Sequence, residues 1–313
     1  MTQALKSAPQ DGAVDAFIAD GFYTFGEVLP RYACEALMHA VEASREFGPD
    51  IFLSQEAFEA DPQFKGVNPQ PGRNLLQSLA PLSDFILADP AIRGPVADVL
   101  GADFEVLDSK FVCGVPERWL PEWLAPRIRG NPVNNLGAYI KPEYRDITYF
   151  YGIDFHQDII DWKSRTADFL TLYVYIHPVT AGDAPLYVIP GTHALGATLF
   201  PHDLVPDSRH KGHWRYSDGM GRSVDVQDMM LTGGMGYAAM WHSFTLHGTQ
   251  PVSSDSERFS ARYILTRGRA ATTGMDAVNA TIDGPLSLDE TRRDLDAHGA
   301  AQIKANAIIT RPE

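Results

Sequence analysis

The later part of the chain consists of short apolar runs separated by glycine and proline, and this pattern constrains the fold most. Turn residues such as Gly182-Asp183 and Pro190-Gly191 lie between the runs. The runs are Thr148–Ile153, Phe169–Ile176, Leu186–Ile189, Gly236–Trp241 and Phe259–Leu265. Many short strands with such breaks predict a mainly β protein, a sandwich or a barrel, with flanking helices. The runs are far shorter than the ~20 residues that a membrane-spanning helix requires.

The domain organisation follows from this pattern and from the length. The 313 residues equal about two domains at ~150 residues each, but β-barrels often reach 200–250 residues as one unit. We therefore expect one domain with elaborations. Its expected parts are a loose tail (1–14), helical support with the first strands (15–110), lid-like insertions (115–150 and 200–235), the barrel core (147–265) and a closing helix (287–305).

Charge and cysteine content exclude several functions. The net charge of −14 disfavours nucleic acid and anionic membrane surfaces as partners, because both repel an acidic protein. The two cysteines, Cys34 and Cys113, provide neither a disulfide framework nor a zinc-ligand spacing. The first ten residues lack the apolar core of a signal peptide. We expect a cytoplasmic protein that acts on a small molecule, as a monomer or a homodimer.

Three residues with metal-ligating side chains follow predicted strands. His156 and Asp158 are two residues apart, so in an extended segment their side chains point to the same side. His247 follows a later apolar run and supplies a third ligand, whereas His242, five residues before it, is expected on the opposite face. Two histidines and one carboxylate on one face of the ion form the arrangement of non-haem Fe(II) oxygenases. The sequence therefore predicts a catalytic iron site.

An arginine follows the third ligand at a spacing that suits a co-substrate. Arg258 lies 11 residues after His247 and begins an apolar run, and Arg262 shares its face at period two. A guanidinium near the metal is suited to hold a carboxylate through two hydrogen bonds. 2-Oxoglutarate chelates iron at one end and carries a carboxylate at the other. Spacing alone does not choose between the two arginines.

Four segments, in order, resemble the phytanoyl-CoA dioxygenase-like family of Fe(II)/2-oxoglutarate-dependent oxygenases, over about residues 14 to 265. They are Phe17-Ile-Ala-Asp-Gly-Phe22, His156-Gln-Asp158, Asp183-Ala-Pro-Leu-Tyr-Val-Ile-Pro-Gly-Thr-His193, and His247-Gly-Thr249 with Arg258. The third segment departs from the family pattern, since Asp183 and Ala184 stand where the family usually has Asn and Gly. The resemblance implies a double-stranded β-helix, also called a jelly roll or cupin-like fold.

The resemblance also implies roles for individual residues. It makes His156, Asp158 and His247 the iron ligands and favours Arg258 over Arg262 as the anchor of 2-oxoglutarate. Thr249 takes the place of a hydroxyl residue beside that arginine, and Tyr173 takes a position where the family often has a tryptophan against the co-substrate. The implied co-substrates are 2-oxoglutarate and O₂, with ascorbate as a supporting reductant in vitro.

The reaction expected from this resemblance is hydroxylation of an unactivated C–H bond, with release of succinate and CO₂. In halogenase relatives a small residue replaces the carboxylate ligand, so Asp158 favours a hydroxylase over a halogenase. Desaturation, ring closure and epimerisation use the same site and stay open. Trp162, Tyr139 and Tyr149 are candidate substrate contacts, and core packing is the alternative role for each. A cupin-type metal dioxygenase without 2-oxoglutarate and a non-catalytic jelly-roll binding module are the competing functions.

Overall fold

The computed structural model describes residues 12–60, 74–252, 254–270, 272–296 and 302–303. Most of its regular structure is β. The strands of the described residues are β1 (Phe22–Glu27), β2 (Glu105–Gly114), β3 (Val133–Asn135), β4 (Thr148–His156), β5 (Phe169–Tyr175), β6 (Leu186–Ile189), β7 (Asp203–Pro206), β8 (His213–Ser217), β9 (Ser223–Gln227), β10 (Met229–Leu231), β11 (Tyr237–His242), β12 (Leu246–Thr249) and β13 (Arg258–Thr266).

Ten of these strands form one curled sheet in the order β1-β11-β5-β13-β2-β4-β12-β6-β10, with β3 paired to β4. Among its described pairs, β2–β4 is parallel and the others are antiparallel. Strands distant in sequence are neighbours, as when β12 pairs with both β4 and β6. The predicted double-stranded β-helix core is confirmed, and its sheet also includes the early strands β1 and β2.

Alternation along β13 separates the two faces of this sheet. Phe259 and Ala261 pack into the large hydrophobic core that the sheet shares with the helices. Arg258 and Arg262 are the alternate residues of the same strand and face the interior of the curled sheet. On β13, the interior thus receives the two arginines, and the opposite face packs against the helical layer.

The helices lie on the outer side of the sheet. They are α1 (Ala13–Asp20), α2 (Arg31–Ala43), α3 (Gln55–Ala60), α4 (Leu75–Ser78), α5 (Ala80–Ser83), α6 (Phe85–Ala88), α7 (Pro90–Leu100), α8 (Ala125–Ile128) and α9 (Gly274–Asn279). Helix α1 packs against α7 and α9. In the described residues, no helix is long and apolar enough to cross a membrane.

The described residues nearest the two ends of the chain differ from expectation at Ala13 and over 287–296. The expected loose tail (1–14) lies outside the described residues up to residue 11, and Ala13 already begins α1. The expected closing helix is wrong where the structure describes it, because residues 287–296 are not helical. Backbone groups of this segment bond to neighbouring loops, as when Thr291 O accepts from Phe200 N at 3.0 Å. The remainder of 287–305, apart from residues 302–303, lies outside the described residues.

The two expected insertions have defined structures. Strands β7, β8 and β9 form a separate antiparallel sheet within 200–235, where we expected loops. The segment 115–150 contains short 3-10 turns, α8 and β3, as its five prolines require. Whether either insertion acts as a lid stays a prediction.

Two of the sequence motifs meet in space and connect the ends of several strands. Gly21 ends α1 in the left-handed conformation (φ +64°), and its carbonyl accepts a hydrogen bond from Thr245 Oγ1 at 2.7 Å. A Cβ at Gly21 would lie 2.5 Å from the His193 ring. The carbonyl of Asp20 accepts from Gly191 N at 2.8 Å. The Asp-Gly and Pro-Gly-Thr-His motifs therefore hold this end of the barrel together.

Candidate metal centre

The structure brings His156, Asp158 and His247 together, as the sequence predicts. His156 ends β4, Asp158 begins the 3-10 turn Asp158–Asp161, and His247 lies directly opposite His156 where β12 pairs with β4. The two imidazole centroids are 4.2 Å apart, and one ligand atom from each of the three residues lies within 4.8 Å of the others. Gln157, between the first two, is extended (φ −98°, ψ 141°), so strand alternation still directs both ligands to one side.

Hydrogen bonds fix the tautomer of both histidines. Nδ1 of His156 lies 3.0 Å from Asp154 O, and Nδ1 of His247 lies 3.0 Å from Thr245 O. A carbonyl oxygen accepts, so each Nδ1 carries the proton and each Nε2 keeps a free lone pair. Burial lowers the pKa of both rings, that of His247 to about 3, although Asp158 opposes the effect. Both imidazoles are therefore neutral and suited to bind a metal at pH 7.

The Asp158 carboxylate is held by three side chains. Its Oδ2 accepts from Thr171 Oγ1 at 2.7 Å and from Trp241 Nε1 at 3.0 Å, and its Oδ1 accepts from Arg262 Nη2 at 2.5 Å. Burial opposes ionisation, but Arg262, His247 and the other partners together lower the pKa of Asp158 below its usual range. The carboxylate is thus ionised and oriented before any metal binds.

Gln157 braces the ligand turn from the opposite side. It is fully buried, and its Nε2 donates to Gly196 O at 2.8 Å and to Phe244 O at 2.9 Å. Its Oε1 accepts from Thr198 N at 3.0 Å. The middle residue of the His-Gln-Asp motif therefore ties the ligand turn to two loops.

Arg258 lies in the same interior as the metal centre. It is 1% exposed, and its Nε and Nη1 have no hydrogen-bond partner among the described residues. Its guanidinium carbon lies 5.7 Å from the centre of the Tyr173 ring. Tyr173 stacks on Trp241 at 5.9 Å, and Trp241 lies 4.7 Å from the His247 ring. A row of aromatic rings thus connects the three ligands with a buried cation, two of whose nitrogens have no hydrogen-bond partner.

The two candidate arginines differ in their partners. Arg262 forms an ion pair with Asp158, whereas Arg258 has unused donors. The Thr249 hydroxyl donates to Ala184 O at 2.8 Å, so its proton is directed at a carbonyl in this structure. A role for Thr249 at a bound carboxylate stays a prediction, and it would require that the hydroxyl reorients or accepts.

The three candidate substrate residues lie in packed surroundings. Tyr149 is fully buried in the core shared with the helices, because it alternates with Phe150, which faces the barrel interior. Tyr139 packs on the same side, 5.0 Å from Phe58 in an aromatic cluster. These positions fit the packing alternative for both tyrosines, and a contact of either with substrate stays a prediction. Trp162 packs at 5.9 Å on Phe169, with the Arg165 guanidinium 5.2 Å from its ring, which fits the packing alternative.

Sequence reasoning missed the side chains that hold Asp158. Thr171 is a polar residue inside the apolar run Phe169–Ile176, and this exception was a usable signal. Trp241 gave no signal, because a tryptophan at the end of an apolar run is equally typical of a core. For Arg262 the spacing indicated only an anchor for the carboxylate of a co-substrate. The local sequence around Lys110, which lies opposite Arg262 in the β2–β13 pair, indicated only a strand.

The fold and the three side chains define a class, the double-stranded β-helix proteins with a two-histidine, one-carboxylate site. The sequence model of the family described as phytanoyl-CoA dioxygenase (PhyH) matches residues 141–260 of this chain. This match confirms the family resemblance over the segment that carries all three ligands and Arg258. No curated protein matches the chain in sequence.

Several solved structures are similar to this chain at low sequence identity. The epimerase SnoN in complex with Fe3+, α-ketoglutarate and nogalamycin RO is 12% identical, with a TM-score of 0.51 over 91% of this chain and 95% of that one. The carbocyclase SnoK from nogalamycin biosynthesis is 14% identical, with a TM-score of 0.48 over 92% and 95%. HygX from Streptomyces hygroscopicus, with nickel and 2-oxoglutarate bound, is 14% identical, with a TM-score of 0.46 over 90% and 97%.

Proposed function

We propose that this protein is an Fe(II)- and 2-oxoglutarate-dependent oxygenase that hydroxylates a C–H bond of a small-molecule metabolite. The observation that carries the proposal is a buried arginine with unused donors in the same interior as the pre-oriented triad of His156, Asp158 and His247. Two buried guanidinium nitrogens without a hydrogen-bond partner are costly, and a bound carboxylate would remove that cost. The SnoN structure, with the same fold, is described in complex with Fe3+ and α-ketoglutarate.

The donor set fits such a metal. Two neutral imidazole nitrogens and one carboxylate are the ligands of non-haem Fe(II) enzymes, and they leave positions for a co-substrate and O₂. Bound iron with 2-oxoglutarate and O₂ would supply the oxidation, with succinate and CO₂ as co-products.

The side chains of this protein have distinct tasks in the proposed reaction. His156, Asp158 and His247 bind the metal. Backbone carbonyls of Asp154 and Thr245 orient the two histidines. The side chains that orient the carboxylate are those of Thr171, Trp241 and Arg262. Arg258 holds the distal carboxylate of 2-oxoglutarate, and Tyr173 covers the space between that carboxylate and Trp241. The closely packed rings exclude water from this space.

Hydroxylation rather than halogenation is proposed because Asp158 occupies the third ligand position. A carboxylate there leaves no vacancy for a halide. SnoN is described as an epimerase and SnoK as a carbocyclase. Analysis of the product is therefore needed to identify the reaction that this protein catalyses. Gain of one oxygen atom by the substrate is the expected result.

The first experiment measures whether the protein uses 2-oxoglutarate. Under anaerobic conditions, Fe(II) and 2-oxoglutarate together are expected to produce a visible charge-transfer band, because the keto acid chelates the open side of the iron. In air, the same mixture with ascorbate is expected to form succinate, faster with a substrate than without.

The matched variants are His156→Ala, which removes a ligand, and His213→Ala, which removes an exposed histidine on β8. The first should lose both the band and metal retention, and the second should keep them. Absence of the band and of succinate in the unmodified, iron-supplemented protein would refute the proposal. A metal-dependent oxidation without 2-oxoglutarate would favour another cupin-type dioxygenase instead.

A further inference from the structure

Lys110 is a cation beside the metal centre that no described residue fully neutralises. It lies on the inner face of β2, directly opposite Arg262 of β13, and Arg262 in turn lies opposite Tyr173 of β5. Side chains that face each other across antiparallel strands have Cβ atoms about 5 Å apart. Because Arg262 donates to Asp158, Lys110 belongs to the same chamber as the three ligands.

The pairing of Lys110 with Arg262 is unfavourable by itself. Like charges directly opposite each other destabilise a sheet unless an anion lies between them. Arg262 has Asp158 as its partner, but the nearest described anion to Lys110 Nζ is Asp108 Oδ2, at 3.8 Å. That distance exceeds a hydrogen bond, and no other described residue forms an ion pair with Lys110. Asp161, further along the ligand turn, lies 3.7 Å from Arg292.

The environment of Lys110 is that of a chamber wall. Burial and the neighbouring Arg262 lower the pKa of its ammonium group, and Asp108, Asp161 and Asp158 act in the opposite direction. A quarter of its side-chain surface is nevertheless accessible to solvent. Pairing between β2 and β4 begins at Val112, which lies opposite Thr148. Lys110 is two residues earlier on β2, so among the described residues it has no β4 residue paired beside it. The Lys110 side chain is therefore mostly buried, and part of it is accessible to an incoming molecule.

We propose that Lys110 anchors the substrate, and that the substrate carries an oxyanion group, a carboxylate or a phosphate. The proposal rests on the proposed function, because the chamber it concerns is the open side of that metal centre. An ammonium with unused donors forms charge-assisted hydrogen bonds with such a group. The anion would also relieve the repulsion between Lys110 and Arg262. It would fix the orientation of the substrate against the metal.

The test measures binding of simple probes to the protein loaded with Ni(II) and 2-oxoglutarate, by calorimetric titration. Benzoate, indole-3-acetate and phenyl phosphate are compared with the neutral benzamide, indole-3-acetamide and benzyl alcohol. For at least one pair, the anion should bind about 10-fold more tightly or better, the range of a charge-assisted hydrogen bond. Lys110→Met and Lys110→Gln should remove that preference, and Lys110→Arg should retain part of it.

Lys211→Met, which removes an exposed lysine, is the control and should keep the preference. The proposal is overturned if the unmodified protein binds every neutral probe as tightly as its anion, a result that requires no variant to fold. It is also overturned if Lys110→Met keeps the preference. Failure of Ni(II) and 2-oxoglutarate to load would instead refute the proposed function, so the two failures are distinguishable.

Discussion

At this site, the role of a side chain depends more on its hydrogen-bond partners than on its position in the sequence. Asp158 is a ligand candidate from spacing, but Thr171, Trp241 and Arg262 decide how its oxygens are directed. Arg262 is bound to that carboxylate, which leaves Arg258 as the cation with unused donors. The two arginines, four residues apart on β13, therefore have different partners, which supports the different tasks proposed for them.

The first residue-scale prediction concerns Arg258. Arg258→Gln should weaken 2-oxoglutarate binding about 100-fold, because loss of a buried cation leaves the distal carboxylate unpaired at a cost of roughly 3 kcal/mol. Metal binding should be unchanged, since Arg258 touches none of the three ligands. Calorimetric titration of 2-oxoglutarate into the metal-loaded protein measures the effect.

Arg209→Gln, on an exposed loop, is the matched control and should bind 2-oxoglutarate as the unmodified protein does. Unchanged affinity in Arg258→Gln would contradict the assignment. So would a larger loss of 2-oxoglutarate affinity in Arg262→Gln with metal retained, because Arg262 would then be the anchor.

At the scale of elements, the metal centre depends on the close approach of two strands. β12 supplies His247 and pairs with β4, which supplies His156. Gly248, which follows His247 on β12, lies so close to β4 that an added Cβ would be 2.7 Å from Ile153 O. The glycine in the His-Gly-Thr motif is thus explained by strand proximity.

The corresponding prediction is that Gly248→Ala separates β12 from β4 and disturbs the metal centre. We expect a lower melting temperature and at least a 10-fold loss of metal affinity, since small displacements of ligands weaken a site strongly. Thermal unfolding and metal titration measure the two effects.

Gly94→Ala provides a control distant from the metal centre. Gly94 is exposed within α7, and apart from its chain neighbours and the backbone of its own helix no heavy atom lies within 4 Å of an added Cβ. Pro95 follows and disfavours a Cβ on the helical residue before it, which offsets the helix preference of alanine over glycine, so we expect little change in stability and an unchanged metal affinity. Normal metal affinity in Gly248→Ala would show that the strands can accommodate the methyl group.

At the scale of the whole molecule, buried neutral histidines make the stability of the folded state depend on pH. Burial lowers the pKa of His193 to about 4 and the pKa values of His202 and His242 to about 3. His242 accepts from Phe244 N through Nδ1 at 3.1 Å, and its Nε2 lies 3.1 Å from Asn279 Oδ1. This neutral ring thus ties β11 to α9.

The prediction is that stability falls as the pH decreases from about 6.5 towards 4. The unfolded chain binds protons near pH 6.5 and the buried rings do not, so acid favours the unfolded state. For His242 alone the loss at pH 4 is on the order of 3 kcal/mol, at about 1.4 kcal/mol for each pH unit below 6.5. Melting temperatures measured between pH 7 and pH 4 show the slope.

His242→Gln should reduce this slope, although the variant itself is less stable at pH 7. His39→Gln, on the exposed side of α2, should keep the slope of the unmodified protein. Equal slopes in all three proteins would mean that the buried histidines do not control acid unfolding.

The sequence by itself determined the fold class and the three metal-ligand candidates. Both follow from local rules: the alternation of strands, turn residues between short apolar runs, and ligands two residues apart at a strand end. The family resemblance also rested on short motifs that can be read without contacts. Gly248 and Gly21 belong to those motifs, although their physical reasons appear only when strands and loops meet.

The tertiary structure decided which side chains share the interior of the barrel. Arg262 meets Asp158 across 104 residues of sequence, and no local pattern indicates such a contact. Tyr149 was expected at the substrate but faces the core with the helices, because strand alternation directs Phe150 inward instead. Lys110 became a candidate only through its strand partner Arg262. Sheet pairing between distant strands sets these neighbours, and pairing is a property of the folded chain.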